Sequence, residues 1–330
     1  MKTDSVVFTA ESKAEFQCFE MPRPAPGQVQ VRTLASTIRA GTEGWCLKNQ
    51  FTWQPTPYPC VSGYQRVGVI TELGDGVMGW AVGDKCAVTI GYWEGTIVPF
   101  WGSHGSVLNS PASELYRIPD GVDDVSASSL VVAQVGYNAA FRADLQPDDW
   151  VIVYGDGLIG QFGAQSARAR GMKVILVGHR QERLDIAMGH SADYVINSHH
   201  QSVADEVQKL TGGTVACVID TIQTEASQRE YLALLENGRG QIVYSGFTPG
   251  VVWADMGLLQ QRELTTHYVA GWTRARIEAT LGLMAEGAIR VRPLISHKVS
   301  AARGAEMFEM VLHTDQPFLG ITLDWTGGDE

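Results

Sequence analysis

The 330-residue chain has no apolar run near the ~20 residues needed to cross a bilayer, so no membrane span is expected. The short run Val6-Val7-Phe8 is too brief for a secretory signal core and reads as a first strand. The five cysteines (Cys18, Cys46, Cys60, Cys86 and Cys217) form no C-x-x-C pair, so no closed structural zinc site is legible. Scattered cysteines without a secretory signal predict a reducing, cytoplasmic setting. Positive charge is scarce: 25 Lys and Arg face 36 Asp and Glu, a net charge of −11. Such a surface repels phosphate backbones and anionic lipid, which argues against nucleic acid and membrane partners. It leaves room for a local basic pocket that takes one small anion. Repeats, low-complexity segments and blocks of like charge are also missing.

What is present is enough apolar material for two cores, 45% of the residues. Residues 1–124 are rich in Gly, Pro and short alternating stretches. Segments 29–34, 67–73 and 85–90 read as strands, bounded by turns such as Gly74-Asp75-Gly76 and Gly83-Asp84. Many short strands predict a β-rich, barrel-like domain. After Pro119-Asp120-Gly121 the pattern changes. Segment 125–144 reads as a helix whose apolar face carries Leu130, Val131, Val135 and Phe141. Strands are then expected at 151–154, 173–177, 194–196, 215–220 and 241–244, with helices at 161–170, 184–188, 203–210 and 228–236 between them. This alternation predicts an α/β domain, a doubly wound parallel sheet with helices on both faces. Segment 263–269 reads as its last strand. Helices at 274–286 and 301–313 are expected to return to the first domain, giving boundaries of 1–124, 125–269 and 270–330.

Strand 151–154 runs straight into Gly155-Asp156-Gly157-Leu158-Ile159-Gly160, and a helix follows. The first glycine permits a tight turn, the second lets backbone approach a pyrophosphate, and the third lets helix and strand pack closely. The helix N-terminus then faces the negative charge. A Gly-rich turn without a ligand is the plainer alternative. Asp156 is an oddity, because a carboxylate beside phosphates is repulsive unless it points away. An NAD site places Asp or Glu at the end of the second strand to bond the ribose hydroxyls. Here that strand ends in Gly178-His179-Arg180. The missing acid and the bidentate cation Arg180 favour NADP(H). Arg180 as a solvated loop residue is the alternative.

With these landmarks the sequence resembles the medium-chain dehydrogenase/reductase superfamily. Further landmarks are Gly41-Thr42-Glu43, the run from Gly63-Tyr64-Gln65-Arg66 to Gly68, Val82-Gly83-Asp84-Lys85, Ile118-Pro119-Asp120-Gly121, and Gly238-Arg239-Gly240-Gln241 leading to Gly246. The resemblance implies a GroES-like catalytic domain with a Rossmann domain inserted before its C-terminal piece. It also implies a site in the cleft between them and a homodimer paired through edge strand 263–269. It assigns Gly155, Gly157, Leu158, Ile159, Gly160, Gly178, His179, Arg180, Ser245, Gly246 and Phe247 to the cofactor. Departures from the family pattern point away from zinc. Ala40 stands at the Cys position, Glu43 at the Asp position, Tyr64 and Gln65 at the His and Glu positions, and the remaining ligand position falls near Val131. Ala and Val cannot bind zinc, and Tyr and Gln rarely do. Ser36, Gly41-Thr42-Glu43 and Gly63-Tyr64 are similar to a zinc-less subgroup that includes the bacteriochlorophyllide a dehydrogenases.

Without a metal, a hydrogen-bond donor or general acid must meet the charge that develops on oxygen. Tyr64, at a vacated ligand position, is the first candidate; filling space is its alternative role. His104, in Trp101-Gly102-Ser103-His104-Gly105-Ser106, suits proton exchange, or is a hydrogen-bonded loop histidine. Thr42 matches a hydroxyl that relays the alcohol proton in zinc relatives, or caps a helix. Glu43 is a base, an orienting group for Tyr64, or a buried structural carboxylate. Arg39 reads as surface. Among nine tryptophans, Trp45, Trp53, Trp93 and Trp101 are candidate pocket walls for a ring-shaped or sugar-like substrate, against the alternative that they are core. The expected function is a zinc-independent, NADP(H)-dependent oxidoreductase of a secondary alcohol or ketone. The alternatives are a reductase of activated C=C bonds and a non-catalytic NADPH-binding protein.

Overall fold

The structure is a computed structural model that describes residues 1–246, 254–313 and 316–327. The chain divides into two compact units, Met1–Val131 with Ile295–Glu330, and Val132–Leu294.

The first unit is built on two sheets. A four-stranded sheet runs in the order Lys13–Glu20, Lys2–Ala10, Cys60–Val61, Val98–Pro99. The larger sheet begins with the C-terminal strands Ile295–Ser300 and Gly320–Asp324 and continues through Gln28–Ile38, Arg66–Leu73, Lys85–Val88 and Leu115–Tyr116, with Val107–Pro111 also paired to Gln28–Ile38. The expected strands at 29–34, 67–73 and 85–90 are thus present, the first of them longer. A helix not anticipated from sequence, Ala40–Leu47, follows Gln28–Ile38 directly. It packs Cys46 and Leu47 into a core with Val6, Phe8, Ile38 and Phe308.

The second unit is a six-stranded parallel sheet in the order Tyr194–Asn197, Lys173–Gly178, Trp150–Tyr154, Cys217–Asp220, Gln241–Tyr244, Thr265–Tyr268. Its central strand is apolar at consecutive positions because both faces are covered. Val151 and Val153 pack into one cluster, and Ile152 and Tyr154 into the other. That double burial is why the strand reads as a continuous hydrophobic run, not an alternating one. Each fully buried Val or Ile contributes roughly 1.5–3 kcal/mol. The order of strands reverses beside Trp150–Tyr154, and open α/β sheets bind ligands at such a reversal.

Three expectations are corrected. The single helix at 125–144 is two, Asp124–Ala127 and Leu130–Ala140. Between them the Ser128 and Ser129 hydroxyls both meet Thr37 Oγ1, at 2.8 and 3.1 Å. Phe141, expected on the apolar face, is exposed and stacks on Tyr137. The boundary expected at 269 falls at 294, and helix Arg274–Ala285 stays with the second unit. There the Gln165 amide exchanges two hydrogen bonds with the Arg290 backbone, fixing the stretch behind that helix.

Candidate functional site

In the second unit the glycine-rich turn closes as its residue types require. Gly155 has φ +115°, a conformation that L side chains avoid. A Cβ on Gly160 would lie 1.9 Å from the Gly155 carbonyl oxygen, so only glycine lets helix Leu158–Ala169 come this close. Gly157 caps that helix without a side chain and faces open space. Beside the turn lies a cavity of about 490 Å³, lined among others by Gly155, Gly157, Gly178, Arg180, Arg183 and Thr221. Bare backbone, a helix N-terminus and open volume fit the pyrophosphate of a dinucleotide.

Asp156 also lines that cavity, but its carboxylate is almost fully buried and its oxygens are spent on the neighbouring loop. Its Oδ2 accepts the backbone N–H groups of His179 and Arg180, both at 3.0 Å. Its Oδ1 accepts from the guanidinium groups of Arg180 at 2.9 Å and Arg183 at 3.3 Å. Burial alone would raise this carboxyl, but the two N–H donors and two cations hold it below its ordinary value. Sequence reasoning passed over Arg183. Its signal was the three-residue spacing from Arg180, which places both at the start of helix Gln181–His190. His179 stacks on His199, with centroids 4.9 Å apart. Ser245 is fully buried, and Gly246 has φ +102° with its carbonyl held by Gln223 Nε2 at 2.9 Å. Leu158 and Ile159 open the helix, and Phe247 lies outside the described residues.

In the first unit the polar candidates come together. His104 is fully buried, and both ring nitrogens are engaged: Nε2 lies 2.8 Å from Glu43 Oε2, and Nδ1 2.9 Å from Ser36 Oγ. Glu43 Oε2 also accepts from Ser62 Oγ at 2.9 Å, and Oε1 accepts from the Arg39 backbone at 2.8 Å. Glu43 therefore caps helix Ala40–Leu47 from inside. Thr42 lies in the first turn of that helix, whose N-cap is Arg39, so it is not the cap.

Tyr64 stands beside this network. Burial pushes its phenol up, and the Glu43 carboxylate adds to that; the Arg39 guanidinium and the Thr42 hydroxyl favour the ionised form. Arg39, expected at the surface, is only 9% exposed. Its guanidinium lies near Gly41, where a Cβ would sit 3.6 Å from Nη1.

The positions that would carry zinc hold Ala40, Tyr64, Gln65 and Val131, a poor set of metal donors. Gln65 spends both ends of its amide on backbone: Oε1 accepts from Val131 N at 3.0 Å, and Nε2 donates to the Thr37 carbonyl at 3.1 Å. Ala40 and Val131 have no donor atom. Among the described residues there is no group of three or more His, Cys, Asp or Glu arranged to hold a metal. The donor set does not fit zinc.

Three of the four singled-out tryptophans share one aromatic cluster. Phe51 lies 6.4, 4.5 and 6.1 Å from Trp45, Trp53 and Trp101, and Trp101 meets Tyr64 edge-on at 5.2 Å. Trp101 has φ +71°, strained for a bulky residue. Trp93 lies elsewhere. It packs with Phe19, Val61 and Leu108 and donates to the Ile97 carbonyl at 2.8 Å.

Comparison with known proteins agrees with this architecture. The family model described as zinc-binding dehydrogenase matches residues 159–286. That stretch lies inside the second unit and includes none of positions 40, 64, 65 and 131. The sorbitol dehydrogenase of Halalkalibacterium halodurans is 26% identical over 333 residues, covering 93% of this chain and 95% of the relative. A solved oxidoreductase of unknown specificity from Escherichia coli superposes with a TM-score of 0.88 at 20% identity, covering 98% of this chain and 99% of that one. The benzyl alcohol dehydrogenase of Acinetobacter calcoaceticus superposes at 0.86 with 18% identity and the same coverage. No helix among the described residues is long and apolar enough to cross a membrane. The family-model match and the dehydrogenase relatives, with a GroES-like and a Rossmann unit in the fold, support the medium-chain dehydrogenase/reductase superfamily and an oxidoreductase.

Proposed function

We propose that the protein is a zinc-independent, NADP(H)-dependent oxidoreductase that interconverts a secondary alcohol and a ketone, with Tyr64 as the proton donor and acceptor. One observation carries the proposal: a buried phenol, flanked by Arg39 and Thr42, lies among ligand positions filled by Ala40, Gln65 and Val131. When bound, the nicotinamide supplies or accepts the hydride. Tyr64 Oη then hydrogen-bonds the substrate oxygen and gives it a proton as charge builds there. The Arg39 guanidinium stabilises the negative charge left on the phenol oxygen. Thr42 holds the phenol in place and relays its proton. The buried Ser36–His104–Glu43–Ser62 chain fixes the backbone on both sides of Tyr64; His104 here is a positioning residue. Trp45, Trp53 and Trp101 offer flat apolar faces to a ring-shaped or sugar-like substrate.

The NADP(H) preference rests on Gly178, which brings no side chain to the ribose, and on Arg180 and Arg183 lining the cavity. We further read the edge strand Thr265–Tyr268, with Tyr268 73% exposed, as the pairing edge of a homodimer. The lack of fitting zinc ligands supports reading the chain as a zinc-less member of the superfamily.

The deciding experiment is a screen of cyclic ketones, sugars and enones with C4-deuterated NADPH. Label appearing at a carbinol carbon supports the proposal. Label β to a carbonyl would show that the same phenol protonates an enolate, making the protein a reductase of activated C=C bonds. Tight NADPH binding with no absorbance change at 340 nm over the whole panel would identify a non-catalytic NADPH-binding protein.

A further inference from the structure

Asp156 is a carboxylate within a turn that fits a pyrophosphate, yet it is 98% buried and holds four donors. It rises from the turn into the space above Gly178, where a Cβ would lie 2.6 Å from Asp156 Cβ and 2.7 Å from Oδ2. A side chain at 178 and the carboxylate of 156 are therefore mutually exclusive. The end of the second strand carries no acid, and the turn supplies one that fills the space over Gly178.

Its partners set what that carboxylate does. An acid projecting from position 178 would face the ribose hydroxyls and repel a 2′-phosphate. Asp156 lines the same cavity, but both its oxygens are already engaged by the loop. It pins the backbone of His179 and Arg180 and draws Arg180 and Arg183 onto one oxygen. Two guanidiniums this close repel each other, and the shared carboxylate is what lets them coexist. Both meet that oxygen through Nη1. The Arg180 side chain is 40% exposed and, with Arg183, lines the cavity. Asp156, Arg180 and Arg183 together carry one net positive charge, and Glu230 on the same cavity wall accepts from Tyr154 Oη at 3.0 Å.

We infer that Asp156 is a specificity-determining positioning residue: a built-in counter-ion that holds Arg180 and Arg183 together as a preformed site for the 2′-phosphate of NADP(H). The inference rests on the NADP(H) proposal and adds Asp156 and Arg183 to it. It runs against simple charge counting, by which removing a carboxylate near a phosphate should tighten binding.

The test uses 2′,5′-ADP and 5′-AMP, which differ only in the 2′-phosphate, titrated calorimetrically against the full-length protein. Wild type should prefer 2′,5′-ADP by tenfold or more. Asp156→Asn should cut that ratio at least tenfold, mainly by weakening 2′,5′-ADP, and Arg183→Gln should do the same. Combined, the two substitutions should cost far less than the sum of their separate effects. Should the Asn variant not fold, Arg183→Gln carries the test alone, since it leaves three of the four donors on Asp156. A wild type that binds both probes equally, or prefers 5′-AMP, overturns the NADP(H) proposal and this inference with it. A wild type that prefers 2′,5′-ADP, with a ratio unchanged or raised in Asp156→Asn, overturns this inference alone. An equal loss of both probes also overturns it, because the role would then be to hold the turn and not to select the phosphate.

Discussion

His104 Nε2 lies 2.8 Å from Glu43 Oε2, and neither side chain has any solvent exposure. The two residues are 61 positions apart in sequence, so the contact ties helix Ala40–Leu47 to the loop that precedes Val107–Pro111. Glu43 also takes Ser62 Oγ and the Arg39 backbone N–H. Truncation in Glu43→Ala would leave three buried donors without an acceptor, each at a cost of roughly 1 kcal/mol or more. We expect a loss on the order of 3 kcal/mol in urea denaturation followed by tryptophan fluorescence. A loss below ~1 kcal/mol would show that this network does not hold the first unit together.

Tyr64→Phe removes the hydroxyl and keeps the ring against Trp101. If Tyr64 is the acid, turnover should fall by ~10²-fold or more with little change in KM. The pH profile gives a separate check. Ketone reduction needs the phenol protonated, and burial raises its pKa above that of free tyrosine, about 10. The protonated form is therefore fully present below pH ~10 and is lost only as pH rises through the higher folded value. The reduction rate should be flat from pH 7 to 10. A decline centred near neutrality would assign the proton to another group.

The second unit was legible almost element by element, because its sequence signals are local. A buried strand running into a glycine turn and a helix needs no long-range information, and strand 241–244 was placed without error. The first unit was less so. Its sheet joins residues 321–324 to 35–38, nearly 300 positions apart, and helix Ala40–Leu47 carries Gly41 and Gly44, which depress helix propensity. Candidate residues fared in the same way. Tyr64, Thr42, Glu43 and His104 could be picked by residue type. That Glu43 would be consumed by His104, Ser62 and a backbone amide depends on three segments meeting in space. Arg39 looked like surface because a lone arginine is usually solvated. Trp93 and Trp101 lie eight residues apart, and nothing in their immediate sequence separates the core residue from the one beside Tyr64.

Zinc content offers a test that needs no substrate. Purified protein should hold far less than one zinc per chain, and dialysis against a chelator should leave the melting temperature unchanged. Once a substrate is found, chelators should leave its turnover unchanged too. Gln65 sharpens the point. With both ends of its amide on backbone, Gln65→Glu would set a carboxylate oxygen against the Thr37 carbonyl, and it should destabilise the fold without creating a metal site. Stoichiometric zinc in the wild type, or activity that returns only with added zinc, would overturn the zinc-free proposal.

Two glycines of the turn should respond in opposite ways to the same substitution. Gly157 has φ −77°, allowed for any residue, and a Cβ there meets nothing within 4 Å. Gly157→Ala should fold within about 0.5 kcal/mol of wild type. Its methyl group would nevertheless project into the opening where a pyrophosphate must approach, so NADPH binding should weaken by tenfold or more. At Gly160 the new methyl would meet the Gly155 carbonyl at 1.9 Å, backbone that cannot swing aside. Gly160→Ala should therefore lose roughly 1–3 kcal/mol of stability through overpacking, and the cofactor with it. Melting curves and NADPH fluorescence titrations on the two variants separate packing from recognition. Wild-type NADPH affinity in Gly157→Ala would mean that the phosphates do not lie against this turn.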